Sequence, residues 1–292
     1  MDSFKFKEWL LSEYKSPLLM GILNITPDSF SDGGSFLTLD AAIARAENMI
    51  LDGADIIDIG GESTRPGAGA VSVQEELDRL MPVIEAIREM SDICLSVDTT
   101  KPEVMAAAVD AGVTIVNDTN ALQADGALET VAKYQIPVCL MHMKGKPESM
   151  QQNVFYQGSV IDEVNAFFEQ RIAACLQAGI AAENIILDPG FGFGKLVNHN
   201  LLLVQLLQSF KYHNLPIMMG ASRKHTIGVV LGKPPQERLT GSLVTHAIAL
   251  MNGADLIRAH DIAETRQTII MTRAIMQASE TMLNKENCNG SA

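Results

Sequence analysis

Eight short apolar runs, each ending in polar residues and each followed by a stretch of helical spacing, predict a single (β/α)8 TIM barrel of the α/β class. Chain length agrees, because 292 residues is long for most single domains and ordinary for this one. A doubly wound open sheet uses the same alternation, but it more often carries a Gly-x-Gly-x-x-Gly turn after its first strand, and none follows here.

Residues 1–16 read as a lead-in, a short helix or strand covering one end of the fold. Residues 18–22 form the first strand, and 24–34 a polar loop ending in two glycines. Residues 39–51 are helical, since Ala42, Ile43, Ala46, Met49 and Ile50 share a face before Gly53 stops the helix. The second strand, 56–59, stops at Gly60-Gly61, and the next helix opens with Ser72-Val-Gln-Glu75, a capping box. Strand three, 93–97, ends in Asp98, and Thr100-Lys-Pro-Glu103 offers a second capping box with Pro where its missing N–H costs little. Strands 113–116 and 136–141 flank a helix near 126–133, and a long loop, 144–158, leads to the helix 160–177. Strands 184–187, 215–219 and 254–257 alternate with helices around 201–210, 235–252 and 262–282. Gly-Ala-Asp precedes both strand two and strand eight, the kind of repeat that successive β/α units produce. One domain therefore spans 1–283, and 284–292 is a polar tail.

The chain is 47% hydrophobic and 20% charged, with a net charge of −13 and no basic tail, which argues against nucleic acid or an anionic membrane as partner. Its four cysteines make no Cys-x-x-Cys pair, and no stretch approaches a membrane span or a leader, so the expected location is cytoplasmic.

In this architecture the loops after the strands converge, and all eight strands here break into polar side chains at that end. They are Asn24, Asp58, Thr64, Arg65, Asp98, Asn117, Asp188, Ser222, Arg223, Lys224, Arg258 and His260. Asp58, inside an apolar run, reads by itself as a hydrogen-bonded structural carboxylate. Arg65, Lys224, Arg258 and His260 suit a phosphate-like anion, whereas Asp98, Asn117 and Asp188 suit the edge of a polar heterocycle. Asn24, with Asp28 and Asp32 beyond it, offers oxygen ligands to a hydrated Mg²⁺. The ligand these residues describe has a nitrogen-rich ring and a phosphate leaving group.

Other features carry less. Gly190, Gly192 and Gly194 match neither the dinucleotide nor the P-loop spacing, and are read as a tight turn sending Phe191 and Phe193 in different directions. Cys139 and His142 lie three apart, so on one strand they point to opposite faces. His199, His213 and His246 are assigned to surface or packing, and most of the 15 methionines to core filling, with Met141 and Met143 near the barrel mouth.

The stretches Met-Gly-Ile-Leu-Asn-Ile-Thr-Pro-Asp-Ser-Phe-Ser-Asp-Gly-Gly (20–34) and Asp-Ile-Gly-Gly-Glu-Ser-Thr-Arg-Pro-Gly (58–67) resemble the two signatures of the dihydropteroate synthases. Ser96-Val-Asp-Thr99, Asn117-Asp118, Met141-His-Met143, 188–195, Ser222-Arg-Lys224 and Arg258-Ala-His260-Asp261 follow in that family's order, covering roughly 18 to 266. The resemblance implies condensation of p-aminobenzoate with 6-hydroxymethyl-7,8-dihydropterin pyrophosphate in folate synthesis, Mg²⁺ as cofactor, sulfonamides as competitive inhibitors, and a homodimer built through barrel helices. It assigns the pterin to Asp98, Asn117, Met141, Asp188, Lys224 and Arg258, and the pyrophosphate to Asn24, Thr64, Arg65, Arg258 and His260. Phe30, Asp32, Thr64, Pro66, Phe193, Ser222 and His225 would form the p-aminobenzoate pocket once the first two loops close, and Asn24 would hold the metal. The catalytic groups it implies are Asp98, Lys224, Arg258 and His260, acting on a dissociating pyrophosphate and a pterin cation.

Three positions depart from the family: His225 where Ser is frequent, Ala259 for Val, and Lys144 for Gln. Two readings stay open beside the synthase, namely a methyltetrahydrofolate-binding methyltransferase domain and a homologue that binds pterin without turnover. The first needs neither phosphate-side loop and would sit beside a corrinoid domain. The second is favoured by loss of Asn24, Arg65 or Arg258, and all three are present.

Overall fold

A computed structural model describes residues 1–25, 35–62, 69, 71–145, 150 and 154–278, with 35–38 described by backbone alone. Strands β1 (Leu18–Asn24), β2 (Ile56–Gly60), β3 (Cys94–Asp98), β4 (Ile115–Asp118), β5 (Val138–Met141), β6 (Ile185–Asp188), β7 (Met218–Met219) and β8 (Leu256–Ala259) form one parallel sheet in the order 6-5-4-3-2-1-8-7. A parallel bridge between Leu187 and Ile217 joins the two edges and closes the barrel. Helices α2 (Ser35–Leu51), α3 (Val73–Met90), α4 (Pro102–Asp110), α5 (Ala127–Tyr134), α6 (Val160–Gln177), α7 (Val197–Gln205), α8 (His225–Leu231), α9 (Leu239–Met251) and α10 (Ile262–Gln277) surround it. The predicted (β/α)8 barrel is the observed architecture.

The lead-in is a helix, α1 (Ser3–Leu11), started by Asp2, whose carboxylate accepts from Lys5 N at 2.9 Å. Its buried face, Phe6, Trp9 and Leu10, packs on Leu18, Met20, Ile56, Cys94 and Leu256 inside the barrel. α1 thus plugs the N-terminal end, with Trp9 Nε1 donating to Ser16 O at 2.7 Å. Each such apolar side chain contributes about 1.5–3 kcal/mol by leaving water.

Strand parity decides where the chemistry goes. Ile56, Cys94, Ile115, Cys139, Ile186, Met218 and Leu256 belong to the inner cluster with α1, while their neighbours Ile57, Leu95, Val116, Leu140, Leu187, Met219 and Ile257 pack outward against the helices. Two residues further along, the inward positions are Asp58, Ser96, Asn117, Met141, Asp188, Gly220 and Arg258. The barrel interior therefore changes from apolar to polar within one pleat, at the end opposite the plug. Ala259 packs outward with the helix layer.

Several local expectations change. Ser72 Oγ accepts from Glu75 N at 3.2 Å, but the Glu75 carboxylate turns to Arg79, so that capping box is half formed. The box at Thr100 does not form: Lys101 is the N-cap of α4 without a side-chain cap, and Thr99 Oγ1 takes Lys101 N instead at 3.2 Å. The helix placed at 201–210 is α7 followed by a separate 3-10 segment, Leu207–His213. The long helix from 235 is a 3-10 turn, Pro235–Glu237, and then α9. α8, absent from the sequence reading, sits between β7 and α9. The final helix is described to Gln277, and 279–292, with Cys288 and the proposed boundary at 283, lies outside the described residues.

Candidate active site at the barrel mouth

Asn24, Gly60, Asp98 and Asn117 occupy one row across β1 to β4, each the register partner of the next. Gly60 keeps the row open: a Cβ there would lie 3.6 Å from Asn24 Oδ1 and 3.5 Å from Asp98 Cβ. Gly220 does the same on the far side, 3.7 Å from Arg258 Cβ and 3.9 Å from Lys224 Nζ. A flat ligand can lie between these two side-chain-free patches.

Arg258 joins the two walls. Its Nε donates to Asp58 Oδ2 at 2.6 Å and its second guanidinium nitrogen to Asp98 Oδ2 at 2.7 Å. Asn117 Nδ2 donates to the same Asp58 oxygen at 2.9 Å. Asp188 Oδ1 accepts from Gly190 N at 2.8 Å, and Lys224 Nζ donates to Phe191 O while lying 4.3 Å from the centre of the Phe193 ring.

What remains unpaired shows the chemistry. Among the described residues no group donates to Asp98 Oδ1, Asn117 Oδ1 or Asp188 Oδ2. Asn117 and Asp188 are nevertheless only 3% and 4% exposed. These three oxygens are not among the fully enclosed unpaired atoms, so they stay open at the mouth, where they can accept N–H donors from a ligand.

Electrostatics agree. Burial, reinforced by Asp58, Asp118 and Glu76 and opposed by Arg258, raises the Asp98 carboxyl to about 7. Burial also raises Asp188, against the pull of Lys224 and of the Gly190 N–H. Lys224 is lowered by burial to about 8, with Asp188 opposing and Arg258 assisting. His260 is lowered by burial and by Arg258 to about 4, so its ring is neutral at physiological pH. The Nδ1 of His260 pairs with Ser222 Oγ at 3.0 Å, and that hydroxyl also accepts His260 N at 3.2 Å.

The sequence-predicted residues thus separate into groups. Asp98, Asn117, Asp188, Lys224 and Arg258 converge, with Met141 beside Asp188 as its register partner. Asn24 stands at the mouth in the Asp98 row, and His260 with Ser222 stands beyond β8. Arg223 is committed to Asp261, its Nε 2.9 Å from Oδ2. His225 is exposed as the first residue of α8. Phe30, Asp28, Asp32, Thr64, Arg65 and Pro66 lie outside the described residues. Phe191 is buried in the core and Phe193 is directed to Lys224, as the glycine-rich turn implied.

Three features escaped the sequence reading. Asp58 is the hydrogen-bonded structural carboxylate expected, but its wholly buried place at the centre of the network, on Asn117 and Arg258, was not foreseen. Lys101 Nζ bridges Glu62 and the buried Glu76, and Glu62 also accepts Val71 N at 3.1 Å, so one carboxylate ties both ends of the β2–α3 connection. Lys195, 3% exposed, pairs with His142 Nδ1 at 2.9 Å and donates to Gly190 O at 2.9 Å and Phe193 O at 3.1 Å. The heptad-like or alternating patterns of a sequence carry no trace of such cross-chain partners.

Residues 20–260 match the family of pterin binding enzymes. The dihydropteroate synthase of Escherichia coli (strain K12) is 51% identical over 264 residues, spanning 90% of this chain and 93% of the relative. The chain belongs to the dihydropteroate synthase family. A structure of the Yersinia pestis enzyme with a sulfonamide drug complex matches with a TM-score of 0.86 at 48% identity, covering 90% of this chain and 95% of that one. The Xanthomonas albilineans enzyme in complex with 7,8-dihydropteroate matches with a TM-score of 0.82 at 41% identity, over 90% and 95% of the two chains. The fold, the order of the motifs and the family membership agree.

Proposed function

We infer that the protein condenses p-aminobenzoate with 6-hydroxymethyl-7,8-dihydropterin pyrophosphate, giving 7,8-dihydropteroate and pyrophosphate in folate biosynthesis. The observation that carries this reading is the set of donor-free acceptor oxygens on Asn117, Asp188 and the half-buried Asp98, beside Lys224 and Arg258. A pterin edge presents parallel N–H donors next to a ring carbonyl. Asp188 suits those donors and Lys224 the carbonyl oxygen, while Asp98 and Asn117 take the opposite edge and Met141 packs nearby.

The reaction breaks the bond between the 6-methylene carbon and the pyrophosphate oxygen, and that electron pair leaves with the pyrophosphate. The positive charge left on the methylene delocalises into the ring, where Asp98 stabilises it. The amine of p-aminobenzoate then forms the new C–N bond and gives its proton to a pyrophosphate oxygen. His260, neutral and held by Ser222, offers a fixed donor toward the leaving group together with Arg258 and, from the family pattern, Thr64 and Arg65.

The donor set fits Mg²⁺ held mainly by substrate. Among the described residues no cluster of three His, Cys, Asp or Glu side chains could hold a metal, and Asn24 Oδ1 is a single neutral oxygen at the mouth. That is the protein share expected when phosphate oxygens and water complete the shell. When bound, the ion supplies charge neutralisation on the departing pyrophosphate.

The p-aminobenzoate pocket is proposed to draw on Phe193, Ser222 and the His225 region together with Phe30, Asp32, Thr64 and Pro66, and sulfonamides are proposed to compete there. The described free cysteines, Cys94, Cys139 and Cys175, are all buried thiols, which accords with a cytoplasmic location. No helix among the described residues is long and apolar enough to cross a membrane.

The deciding experiment is pyrophosphate release from purified protein with Mg²⁺ and dihydropterin pyrophosphate, with and without p-aminobenzoate. Release is expected to depend on p-aminobenzoate and to fall by about a hundredfold in Lys224→Ala. Release that ignores p-aminobenzoate, or tight pterin binding with no turnover, removes the synthase reading.

A homodimer is proposed through the outer helices. Val244, Ile248 and Met251 form an exposed stripe on α9 at i, i+4 and i+7, and the helices that neighbour α9 also expose apolar residues, Val230 on α8 and Met271 and Ile275 on α10. Sedimentation is expected to give a dimer that Ile248→Glu dissociates, and a monomeric wild-type protein contradicts this assignment.

A further inference from the structure

The geometry points to Asp58 as the positioning residue that sets the hydrogen-bonding polarity of the mouth, by holding Asn117 Nδ2 and Arg258 Nε on one carboxylate oxygen. This inference rests on the pterin reading above.

Asp58 is wholly buried and cannot touch a ligand, so whatever it does it does through its partners. A carboxylate only accepts, which forces the amino end of the Asn117 amide toward Asp58 at 2.9 Å. The amide carbonyl is then the end left for a ligand, and among the described residues nothing donates to it. Without an obligate acceptor at position 58 the amide has two equivalent orientations, and half of them offer a donor where the ring needs an acceptor.

The same oxygen fixes Arg258. Two bonds, to Asp58 at 2.6 Å and to Asp98 at 2.7 Å, hold the guanidinium plane. When ring N–H groups compete for Asp98, the Asp58 bond keeps Arg258 in place. Charge is balanced in the same way. A guanidinium beside a developing ring cation is repulsive, and Asp58 offsets it one for one, which leaves the Asp98 charge for the cation. Asp98 thereby acts on the substrate, and Asp58 acts on the residues that do.

The test is Asp58→Asn, which keeps the volume, removes the charge, and creates an amide pair able to bond in either orientation. Equilibrium titration with 6-hydroxymethyl-7,8-dihydropterin is expected to show binding weakened about 30-fold, while the p-aminobenzoate KM changes less than about twofold. Asn117→Ala is expected to weaken ring binding similarly. The double variant should be no more than about threefold worse than the poorer single one, because Asp58 acts through Asn117. A general structural role would instead multiply the two losses. Asp58→Ser carries the same measurement should Asp58→Asn fail to melt cooperatively. Ring binding within twofold of wild type in either folded variant, or multiplying losses in the double variant, overturns the inference. If Asp98→Asn also leaves ring binding unchanged, the pterin reading itself falls and the role of Asp58 falls with it.

Discussion

Replacing Asp98 with asparagine is expected to lower kcat for p-aminobenzoate-dependent pyrophosphate release by about 10²–10³-fold while leaving the fold intact. The argument is electrostatic. Asp98 closes a row with Asn117 and Gly60 and shares Arg258 with Asp58, so its free oxygen faces the space a ring would fill. Burial and the neighbouring carboxylates raise it to about 7, which places its proton equilibrium in the working range. Stabilising a cation needs the ionised form, so kcat/KM should rise with pH through about 7 in the wild type and lose that limb in Asp98→Asn. Stability moves the other way. A carboxyl raised from 3.8 to about 7 contributes stability that is fully present below pH 3.8 and is lost as pH rises through about 7. Urea melts across that window should show the wild-type slope reduced in the variant. A pH-independent kcat/KM, or an Asp98→Asn protein with more than a tenth of wild-type turnover, would contradict this role.

How much of the site was legible depends on whether a residue's partner lies near it in the chain. Asp98, Asn117, Asp188, Lys224 and Arg258 were visible as polar breaks after apolar runs, because strand ends in this architecture share one side. Asp58 was visible too, yet its significance was not. Its partners stand 59 and 200 positions away, and only the barrel closure brings them together. The spacing Ile56-x-Asp58 does place the carboxylate on the inner face, so parity, applied to strand two, would have put this structural carboxylate in the barrel interior. Lys195 and the Glu62–Lys101–Glu76 bridge carried no comparable signal, since each joins separate β/α units.

The fold was more legible than its boundaries. β1, β2 and β3 each run beyond the apolar stretch that announced them, into Asn24, Gly60 and Asp98, because ladder hydrogen bonds come from the backbone and continue where side chains turn polar. β7 is shorter than its apolar run, Met218–Met219, with Ile217 contributing only a bridge. α8 was hidden by its composition, His-Thr-Ile-Gly-Val-Val-Leu, which is rich in poor helix formers. Tertiary contact overrides that preference: a Cβ on Gly228 would fall 2.2 Å from an Arg238 guanidinium nitrogen, so the glycine lets the following segment dock on the helix.

The glycine-rich turn after β6 supports a sharper expectation, that Gly190→Ala costs more than about 3 kcal/mol in folding and impairs ring binding in what remains folded. A Cβ at Gly190 would lie 1.8 Å from His142 O, a backbone atom that cannot swing aside. Lys195 draws the same surfaces together by bonding His142 Nδ1 and Gly190 O, so relief requires breaking a buried lysine's hydrogen bonds. The functional consequence follows from the next two bonds. Gly190 N holds Asp188 Oδ1, and Phe191 O holds Lys224, so moving this turn moves both groups proposed for one ring edge. Positive φ alone does not account for the expected loss, and Gly179 separates the two effects. Its φ is +88° against +69° at Gly190, but nothing lies within 4 Å of where its Cβ would be. Gly179→Ala therefore reports backbone strain without collision, about 1 kcal/mol by urea denaturation, with ring affinity unchanged. Equal costs at the two positions would mean that docking on His142 does not hold the turn, and the link from Lys195 to the Asp188–Lys224 pair would be lost.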